Sequence, residues 1–214
     1  MTGKKIKILI ADDHPIVRAG FKQVLSETPD LVVEDEVGNG QEVLACIKKK
    51  QYDVVLLDIS MPGKNGLEVL RELKAYCPKL PVLILSIYPE EQYAIRALRA
   101  GAAGYLTKES APHELISAIR KISEGARYIT ASLGEKLANY LDTDITKLPH
   151  ETLSDREHHV MQLIASGKTV SEIAEILHLS VKTISTYRSH ILEKMKMKSN
   201  AEIILYAVKN KLIE

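Results

Sequence analysis

The sequence contains no tryptophan, one phenylalanine and only two cysteines among its 214 residues. Cys46 and Cys77 show neither CxxC spacing nor the spacing of a metal site. We therefore expect two free, half-buried thiols in a reducing compartment, and no disulfide framework.

Long apolar runs are also absent. No run reaches the ~18 residues that a membrane span requires, so we expect no contact with a membrane. The apolar run near the start is short and ends in two aspartates, which predicts a buried strand rather than a signal peptide. Without an export signal, the expected location is the cytoplasm.

Charge of one sign is not in excess, because the formal net charge is only +1. Any affinity for nucleic acid must therefore come from a local basic segment. Apolar residues make up 45% of the chain and charged residues 27%, which is ordinary for a globular protein with a core. The length suits one large domain or two small ones.

Short β-branched runs alternate with amphipathic stretches over the first part of the chain. The apolar runs are residues 6–11, 31–37, 53–58, 81–86 and 103–107. Strands that read as unbroken apolar runs are buried on both faces, as in a parallel sheet covered by helices. Five successive βα units predict a doubly wound α/β domain with a five-stranded parallel sheet.

The alternation ends near Gly125. We interpret residues 126–149 as a linker with one helix, predicted at 132–141. From residue 150 onward there are only helical patterns. The predicted organisation is thus an α/β domain at 1–125, the linker, and an all-α domain at 150–214.

Polar residues follow the predicted strands of the first domain. Asp12 and Asp13 follow the first strand, and Asp58 ends the third. Ser86 ends the fourth, and Lys108 follows the fifth. Because the carboxyl ends of parallel strands meet at one edge, these side chains should form one site. Neighbouring carboxylates repel one another unless a cation lies among them, and such oxygen ligands suit Mg²⁺. A helix cap would explain one aspartate but not the set.

The motifs ADDHP, VVLLDISMPGKNGLE, LILS and GAAGYLTKE resemble the receiver domains of bacterial two-component response regulators over residues 6–125. The resemblance implies that Asp58 accepts a phosphoryl group from a sensor histidine kinase. It also implies that Asp13, Asp58 and the carbonyl of Ser60 bind Mg²⁺ directly. Asp12 would act on the metal through water. Phosphoryl transfer needs mainly positioning and charge neutralisation, which such a set supplies.

Further roles follow from the same resemblance. Lys108 would pair with the phosphoryl oxygens, and the Ser86 hydroxyl would move to hydrogen-bond them. Tyr105 would be the aromatic residue that reorients with Ser86. One position departs from the pattern: Glu109 follows Lys108, where the family usually has proline.

The last part of the chain has the pattern of a helix-turn-helix. Ser154 and Glu157 predict a capping box for its first helix. Ser171 and Ser180 are predicted to cap the second and third helices, which a tight HLS turn separates. The pattern alone also allows a small helical bundle with a solvated basic face.

The third helix and its tail are locally basic. Residues 182–198 contain five lysines and arginines against one glutamate, an excess of +4. The stretch from LSDRE to KTISTYRSHILEKM resembles LuxR-type DNA-binding domains. Joined to a receiver, it is similar to the NarL/FixJ family of transcription regulators.

That resemblance implies that the third helix enters the major groove of double-stranded DNA. The side chains expected to face DNA are Lys182, Thr183, Ser185, Thr186, Arg188 and Ser189. Many relatives carry lysine at the place of Ser185. The last helix has an apolar stripe of Ile203, Ile204, Ala207 and Val208. In the family this element pairs two subunits, so we expect a homodimer when the protein is phosphorylated.

Two other functions are compatible with parts of this pattern. Asp58 would be the nucleophile of a haloacid-dehalogenase-like phosphatase if an acid stood two residues later, but Ser60 occupies that place. Alternatively, the first domain is structural and a ligand or partner controls DNA binding. The complete acidic set and the short linker favour a phosphorylated regulator that is not an enzyme.

Overall fold

The computed structural model describes residues 5–135, 148–210 and 212–213. The chain divides into two compact units, Met1–Leu137 and Ala138–Glu214. This division falls inside the predicted linker. Within the described ranges, no helix is long and apolar enough to cross a membrane.

The first unit is a parallel sheet with a helix after each strand. Its strands are β1 (Ile6–Ala11), β2 (Leu31–Val37), β3 (Val54–Asp58), β4 (Val82–Ser86) and β5 (Gly104–Thr107). Its helices are α1 (Pro15–Ser26), α2 (Gly40–Lys49), α3 (Gly66–Tyr76), α4 (Glu90–Arg99) and α5 (Pro112–Ser123). All pairings are parallel, in the order β2-β1-β3-β4-β5. The predicted doubly wound, five-stranded fold is confirmed.

Two apolar clusters lie on opposite faces of this sheet. Because successive strand residues alternate in direction, Val55 and Leu57 of β3 join the cluster formed with α2, α3 and α4. Leu56 joins the cluster formed with α1 and α5. Cys46 and Cys77 pack at the border of the first cluster as free, partly buried thiols, as predicted.

Strand β2 differs from the prediction. Its ends are buried but its middle is partly exposed, so the expectation that every strand is covered on both faces is wrong here. β2 is an edge strand, and edge strands commonly carry charges that discourage pairing with other chains. Asp35 forms an ion pair with Lys50 at 2.8 Å, and Glu36 pairs with Lys22.

The chain continues to pack on the first unit after α5. The backbone N–H of Tyr128 donates to the carbonyl of Ala103 at 2.8 Å. Residues 131–135 are helical, and the rest of the helix predicted at 132–141 lies outside the described residues. Leu133 is buried in the cluster formed with α2, α3 and α4. The first unit therefore extends beyond residue 125.

The described residues of the second unit are helical, with no strand. A 3₁₀ helix (Pro149–Thr152) precedes α6 (Asp155–Ala165), α7 (Val170–Ile176), α8 (Val181–Met195) and α9 (Asn200–Lys209). One apolar cluster joins α6 to α9 and includes Val160, Ile173, Ile191 and Ile203. This arrangement confirms the predicted all-α helix-turn-helix unit.

A side-chain cap begins each of these four α-helices, including α9, which Ser199 caps. The predicted capping box of Ser154 and Glu157 is present, and Ser180 caps α8 as predicted. The predicted cap at Ser171 is wrong. Thr169 caps α7 in a capping box with Glu172, so Ser171 lies within the first turn. The Thr-x-x-Glu spacing of a capping box marks Thr169 as the N-cap, so the helix begins two residues earlier than a cap at Ser171 would place it.

Candidate functional site

The carboxyl ends of the strands bring three predicted residues into contact. Lys108 Nζ lies 2.6 Å from Asp12 Oδ2 and 2.9 Å from Asp58 Oδ2. Both carboxylates are nearly fully buried. The backbone N–H of Lys108 donates to the carbonyl of Ser86 at 2.8 Å, which fixes the end of β5 beside the end of β4. The sheet therefore places the ammonium group between the two acids.

Burial and charge act against each other in this group. Burial raises the pKa of Asp58, the ammonium of Lys108 opposes that rise, and the neighbouring Asp12 adds to it. Burial lowers the pKa of Lys108, but Asp58 and Asp12 outweigh that effect and leave it raised. Lys108 is therefore a fixed positive charge beside a carboxylate whose charged form is disfavoured by burial.

The acidic cluster fits a divalent cation. Ligand atoms of Asp12, Asp13, His14 and Asp58 all lie within 4.8 Å of one another. Asp58 Oδ1 is buried without a hydrogen-bond partner among the described residues. Three carboxylates beside one ammonium leave negative charge uncompensated, and oxygen ligands suit Mg²⁺. Ser60, the other predicted ligand, follows β3 by two residues and is partly buried.

His14 was not among the predicted residues. Its Nδ1 lies 2.7 Å from Asp13 Oδ1, and it is the N-cap residue of α1 without a side-chain cap bond. The signal in the sequence that could have identified His14 as part of the site is its position directly after Asp12 and Asp13. Asp12 Oδ1 accepts from the backbone N–H of His14 at 2.8 Å, so neither aspartate is the N-cap that the structural alternative required.

Ser86 and Tyr105 both contact the backbone of Tyr88. Ser86 Oγ accepts a hydrogen bond from the N–H of Tyr88 at 3.2 Å. The Tyr105 hydroxyl donates to the carbonyl of Tyr88 at 2.7 Å, and burial raises the pKa of Tyr105. Sequence reasoning missed Tyr88 because its backbone makes these contacts, and a side-chain pattern cannot reveal them.

The loop after β3 requires glycine for two different reasons. Gly63 has a φ of +75°, a left-handed conformation that side chains disfavour. A Cβ on Gly66 would lie 2.0 Å from the carbonyl oxygen of Asp58, so α3 begins in direct contact with that backbone. The N–H of Gly66 donates to the carbonyl of Ile59 at 2.9 Å. This close approach fixes the position of Asp58.

The turn after β5 holds its shape without proline. The N–H of Ser110 donates to the carbonyl of Thr107 at 3.0 Å, and their side-chain oxygens lie 3.2 Å apart. Lys108 reaches both carboxylates although Glu109 follows it. The departure from the usual motif therefore leaves the site intact.

In the second unit, α8 presents one exposed polar face. Lys182, Ser185, Thr186 and Ser189 are exposed and have the spacing that places side chains on one side of a helix. The hydroxyls of Thr186 and Ser189 donate to the carbonyls four residues earlier, at 3.0 and 3.1 Å. Because both residues are exposed, their oxygens can still accept hydrogen bonds.

The other predicted DNA-facing residues flank this face. Arg188 is partly buried, and its Nε donates to Asn200 Oδ1 at 2.7 Å. Thr183 is also partly buried, and its Oγ1 lies 2.8 Å from the capping Ser180 Oγ. Lys194 Nζ lies 2.6 Å from Glu157 Oε2. The basic excess of this segment is thus partly neutralised within the unit.

The predicted apolar stripe of α9 divides into two faces. Ile203 and Ala207 are fully buried in the core. Ile204 and Val208 are 37% and 56% exposed, and the neighbouring Leu205 is 71% exposed. An exposed apolar surface therefore remains on the last helix.

Two family models match the chain. The response regulator receiver domain matches residues 8–120, and the bacterial regulatory proteins of the luxR family match residues 151–207. The oxygen regulatory protein NreC of Staphylococcus carnosus is 38% identical over 98% of this chain and all of the relative. The response regulator UvrY of Escherichia coli K12 is 35% identical over 97% of this chain and 95% of the relative.

Solved structures agree with these matches. RcsB of Salmonella enterica serovar Typhimurium, bound to promoter P1flhDC in the presence of a phosphomimetic BeF3⁻, is 26% identical with a TM-score of 0.65. The alignment covers 95% of this chain and 98% of the RcsB chain. The response regulator ChrA of a heme-sensing two-component system is 32% identical with a TM-score of 0.53, over 98% of this chain and 99% of that one.

Proposed function

The chain belongs to the NarL/FixJ family of DNA-binding response regulators, and on this basis we propose that phosphorylation of Asp58 by a sensor histidine kinase controls its binding to double-stranded DNA. The observation that carries the proposal is the position of Lys108 between Asp12 and Asp58 at the carboxyl edge of the sheet. A transferred phosphoryl group would add negative charge beside a positive charge that is already in place.

The residues of the site have separate roles in this reaction. Asp58 is the nucleophile, and the Lys108 ammonium opposes the protonation that burial favours, which keeps the carboxylate reactive. Lys108 then pairs with the phosphoryl oxygens. Ser86 moves toward those oxygens from its bond with the N–H of Tyr88, and Tyr105 reorients with it. Gly66 holds the backbone of Asp58 in place.

Asp13, Asp58 and the Ser60 carbonyl would hold Mg²⁺, with Asp12 acting through water. When bound, this ion neutralises charge on the transferring phosphoryl group. Support comes from the clustered carboxylates and the unpartnered Asp58 Oδ1 among the described residues.

For the second unit, we propose that α8 lies in the major groove. Lys182, Ser185, Thr186 and Ser189 supply its exposed face, and Lys182 neutralises a phosphate. Thr183 and Arg188 flank this face and contact the backbone of the DNA. The exposed apolar side of α9 pairs two subunits, so the phosphorylated protein binds DNA as a homodimer in the cytoplasm.

This function is that of a regulator rather than of an enzyme. Protection of genomic DNA in footprinting, with Mg²⁺ and acetyl phosphate present and absent, tests it. We expect wild-type protein to protect specific sites more strongly with the phosphodonor, and intact mass to show one added phosphoryl group. Asp58→Asn should show neither effect. Equal labelling of wild type and Asp58→Asn would overturn the assignment of the acceptor. Steady turnover of phosphomonoesters would favour the phosphatase alternative.

A further inference from the structure

The segment that follows α5 packs beside the residues of the proposed switch. The N–H of Tyr128 donates to the carbonyl of Ala103, at the start of β5. Leu133 is 1% exposed and belongs to the apolar cluster that contains Tyr93 and Tyr105. Residues at the start of the linker thus share a core with the aromatic residue that is expected to reorient.

One hydroxyl group joins this segment to α4. Thr130 Oγ1 donates to the carboxylate of Glu90, with oxygens at 2.9 and 2.8 Å. The same oxygen accepts from the N–H of Leu133 at 3.2 Å, so Thr130 caps the helical stretch 131–135. We call Thr130, Glu90 and Leu133 the Thr130 clasp. A hydrogen bond to a carboxylate is stronger than one between neutral groups, so this bond restrains the linker.

Two hydrogen bonds at the backbone of Tyr88, and the two residues of chain from Tyr88 to Glu90, connect Ser86 to the clasp. Ser86 Oγ accepts from the N–H of Tyr88, and the Tyr88 carbonyl accepts from the Tyr105 hydroxyl. Glu90, the first residue of α4, follows Tyr88 by two residues. Burial raises the pKa of Tyr105, and the negative charge of Glu90 adds to that rise.

Movement at Ser86 therefore affects the clasp. If Ser86 turns toward a phosphoryl group on Asp58, its hydrogen bond with the N–H of Tyr88 breaks, and the peptide that leads to Glu90 loses one of its restraints. A shift of Glu90 lengthens its bond to Thr130. Because Leu133 and Tyr105 belong to the same apolar cluster, reorientation of the Tyr105 ring also changes the core on which the linker packs.

We propose that the Thr130 clasp holds the start of the linker against α4 and β5, and that phosphorylation of Asp58 opens it. This inference rests on the proposed function, because it requires phosphorylation at Asp58. It adds a route by which the first unit changes the chain segment that leads to the DNA-binding unit.

Hydrogen exchange of the full-length protein tests the clasp at the amides of residues 128–135. In wild type without phosphodonor, the amides of Leu133 and Gly134 should be protected by their bonds to Thr130. With Mg²⁺ and acetyl phosphate, their exchange should rise about tenfold, the effect of losing one charge-assisted hydrogen bond. Intact mass, recorded on the same samples, gives the extent of phosphorylation.

Three variants separate the effect of the clasp from that of the helix cap. Thr130→Val removes the hydroxyl at similar volume, and Thr130→Ser restores it. Glu90→Ala leaves the bond between Leu133 and Thr130 available but removes the link to α4. We expect fast exchange at 128–135 without phosphodonor in Thr130→Val and Glu90→Ala, little further change on phosphorylation, and wild-type behaviour in Thr130→Ser.

The outcomes distinguish this inference from the proposed function. Phosphorylated wild type with unchanged exchange at 128–135 would overturn the clasp and leave Asp58 as the acceptor. Slow exchange in Glu90→Ala, whatever the result for Thr130→Val, would also overturn it, because the cap alone would then hold the segment. Absence of a phosphoryl group from wild-type protein would overturn the proposed function and, with it, the opening of the clasp.

Discussion

The ammonium nitrogen of Lys108 lies 2.9 Å from Oδ2 of Asp58, and both side chains are largely shielded from water. The same nitrogen lies 2.6 Å from Asp12. This single positive charge therefore stabilises two buried carboxylates, and the stability of the first unit should depend on it.

Replacing Lys108 by methionine should destabilise metal-free protein by roughly 2–4 kcal/mol, because the buried acids lose their counter-charge. Urea denaturation in the presence of a chelator measures this loss. Asp58→Asn in the Lys108→Met background should recover at least half of it, since one of the repelling charges is gone. Additive losses in the double variant would show that the two residues do not interact.

Asp13→Ala should abolish Mg²⁺-dependent phosphorylation without lowering the stability of the metal-free protein. Removing one carboxylate from a like-charged cluster relieves repulsion. Intact mass after incubation with acetyl phosphate measures phosphorylation, and thermal unfolding without metal measures the stability of the metal-free protein. Asp30→Ala is the matched control, because Asp30 pairs with Arg120 away from the site. A melting temperature well below that of wild type would assign Asp13 a structural role.

Gly66→Ala should lower stability by about 2–3 kcal/mol and reduce phosphorylation, because its Cβ would lie 2.0 Å from the Asp58 carbonyl oxygen. Gly20→Ala is a control with the opposite sign. Gly20 is an exposed residue of α1 with no atom within 4 Å of a built Cβ, so alanine should stabilise the helix by ~0.5–1 kcal/mol. Equal changes in the free energy of unfolding for Gly66→Ala and Gly20→Ala would contradict the close approach of Gly66 to the Asp58 carbonyl.

The sheet and the acidic cluster could be predicted because they depend on local patterns. Apolar runs of strand length identified β1 to β5, and parallel topology alone placed Asp12, Asp58 and Lys108 at one edge. The contacts of Tyr88 could not be predicted, since they are made by backbone atoms. The bond between Arg188 and Asn200 joins two helices whose packing angle no sequence pattern specifies.

The capping box of α6 should make the second unit sensitive to acid. Burial raises the pKa of Glu157, but hydrogen bonds from Lys194 and Ser154 outweigh it and leave the pKa below its ordinary value of 4.5. The folded state therefore favours the carboxylate, so this stabilisation is complete well above that value and disappears as pH falls through the folded pKa.

Glu157→Gln should accordingly lower stability by about 1 kcal/mol at pH 7, and this difference from wild type should shrink as pH falls below 4.5. Urea denaturation of the full-length protein at a series of pH values measures it. Glu172→Gln is a matched control, because Glu172 completes the capping box of α7 mainly through hydrogen bonds from Thr169, and the charge of Lys168 has a smaller effect on it. A difference for Glu157→Gln that does not change between pH 7 and pH 3 would exclude the charged form as its cause.

Lys182→Ala should weaken DNA binding and reduce the salt dependence of affinity. Each neutralised phosphate contributes about 0.9 to the slope of log affinity against log salt concentration, and Lys182 is exposed on the proposed groove face. Stability should not change. Arg188→Ala removes a charge and also the hydrogen bond to Asn200, so its effect has two possible causes.

Asn200→Ala separates those causes, because it removes the same hydrogen bond and keeps the positive charge. Affinities measured at several salt concentrations for Lys182→Ala, Arg188→Ala and Asn200→Ala decide the matter. If Arg188 contacts phosphate, Arg188→Ala should flatten the slope by the same amount as Lys182→Ala, while Asn200→Ala leaves it unchanged. Equal losses of affinity in Arg188→Ala and Asn200→Ala, with wild-type slopes in both, would mean that Arg188 positions α8 through α9 and does not contact DNA.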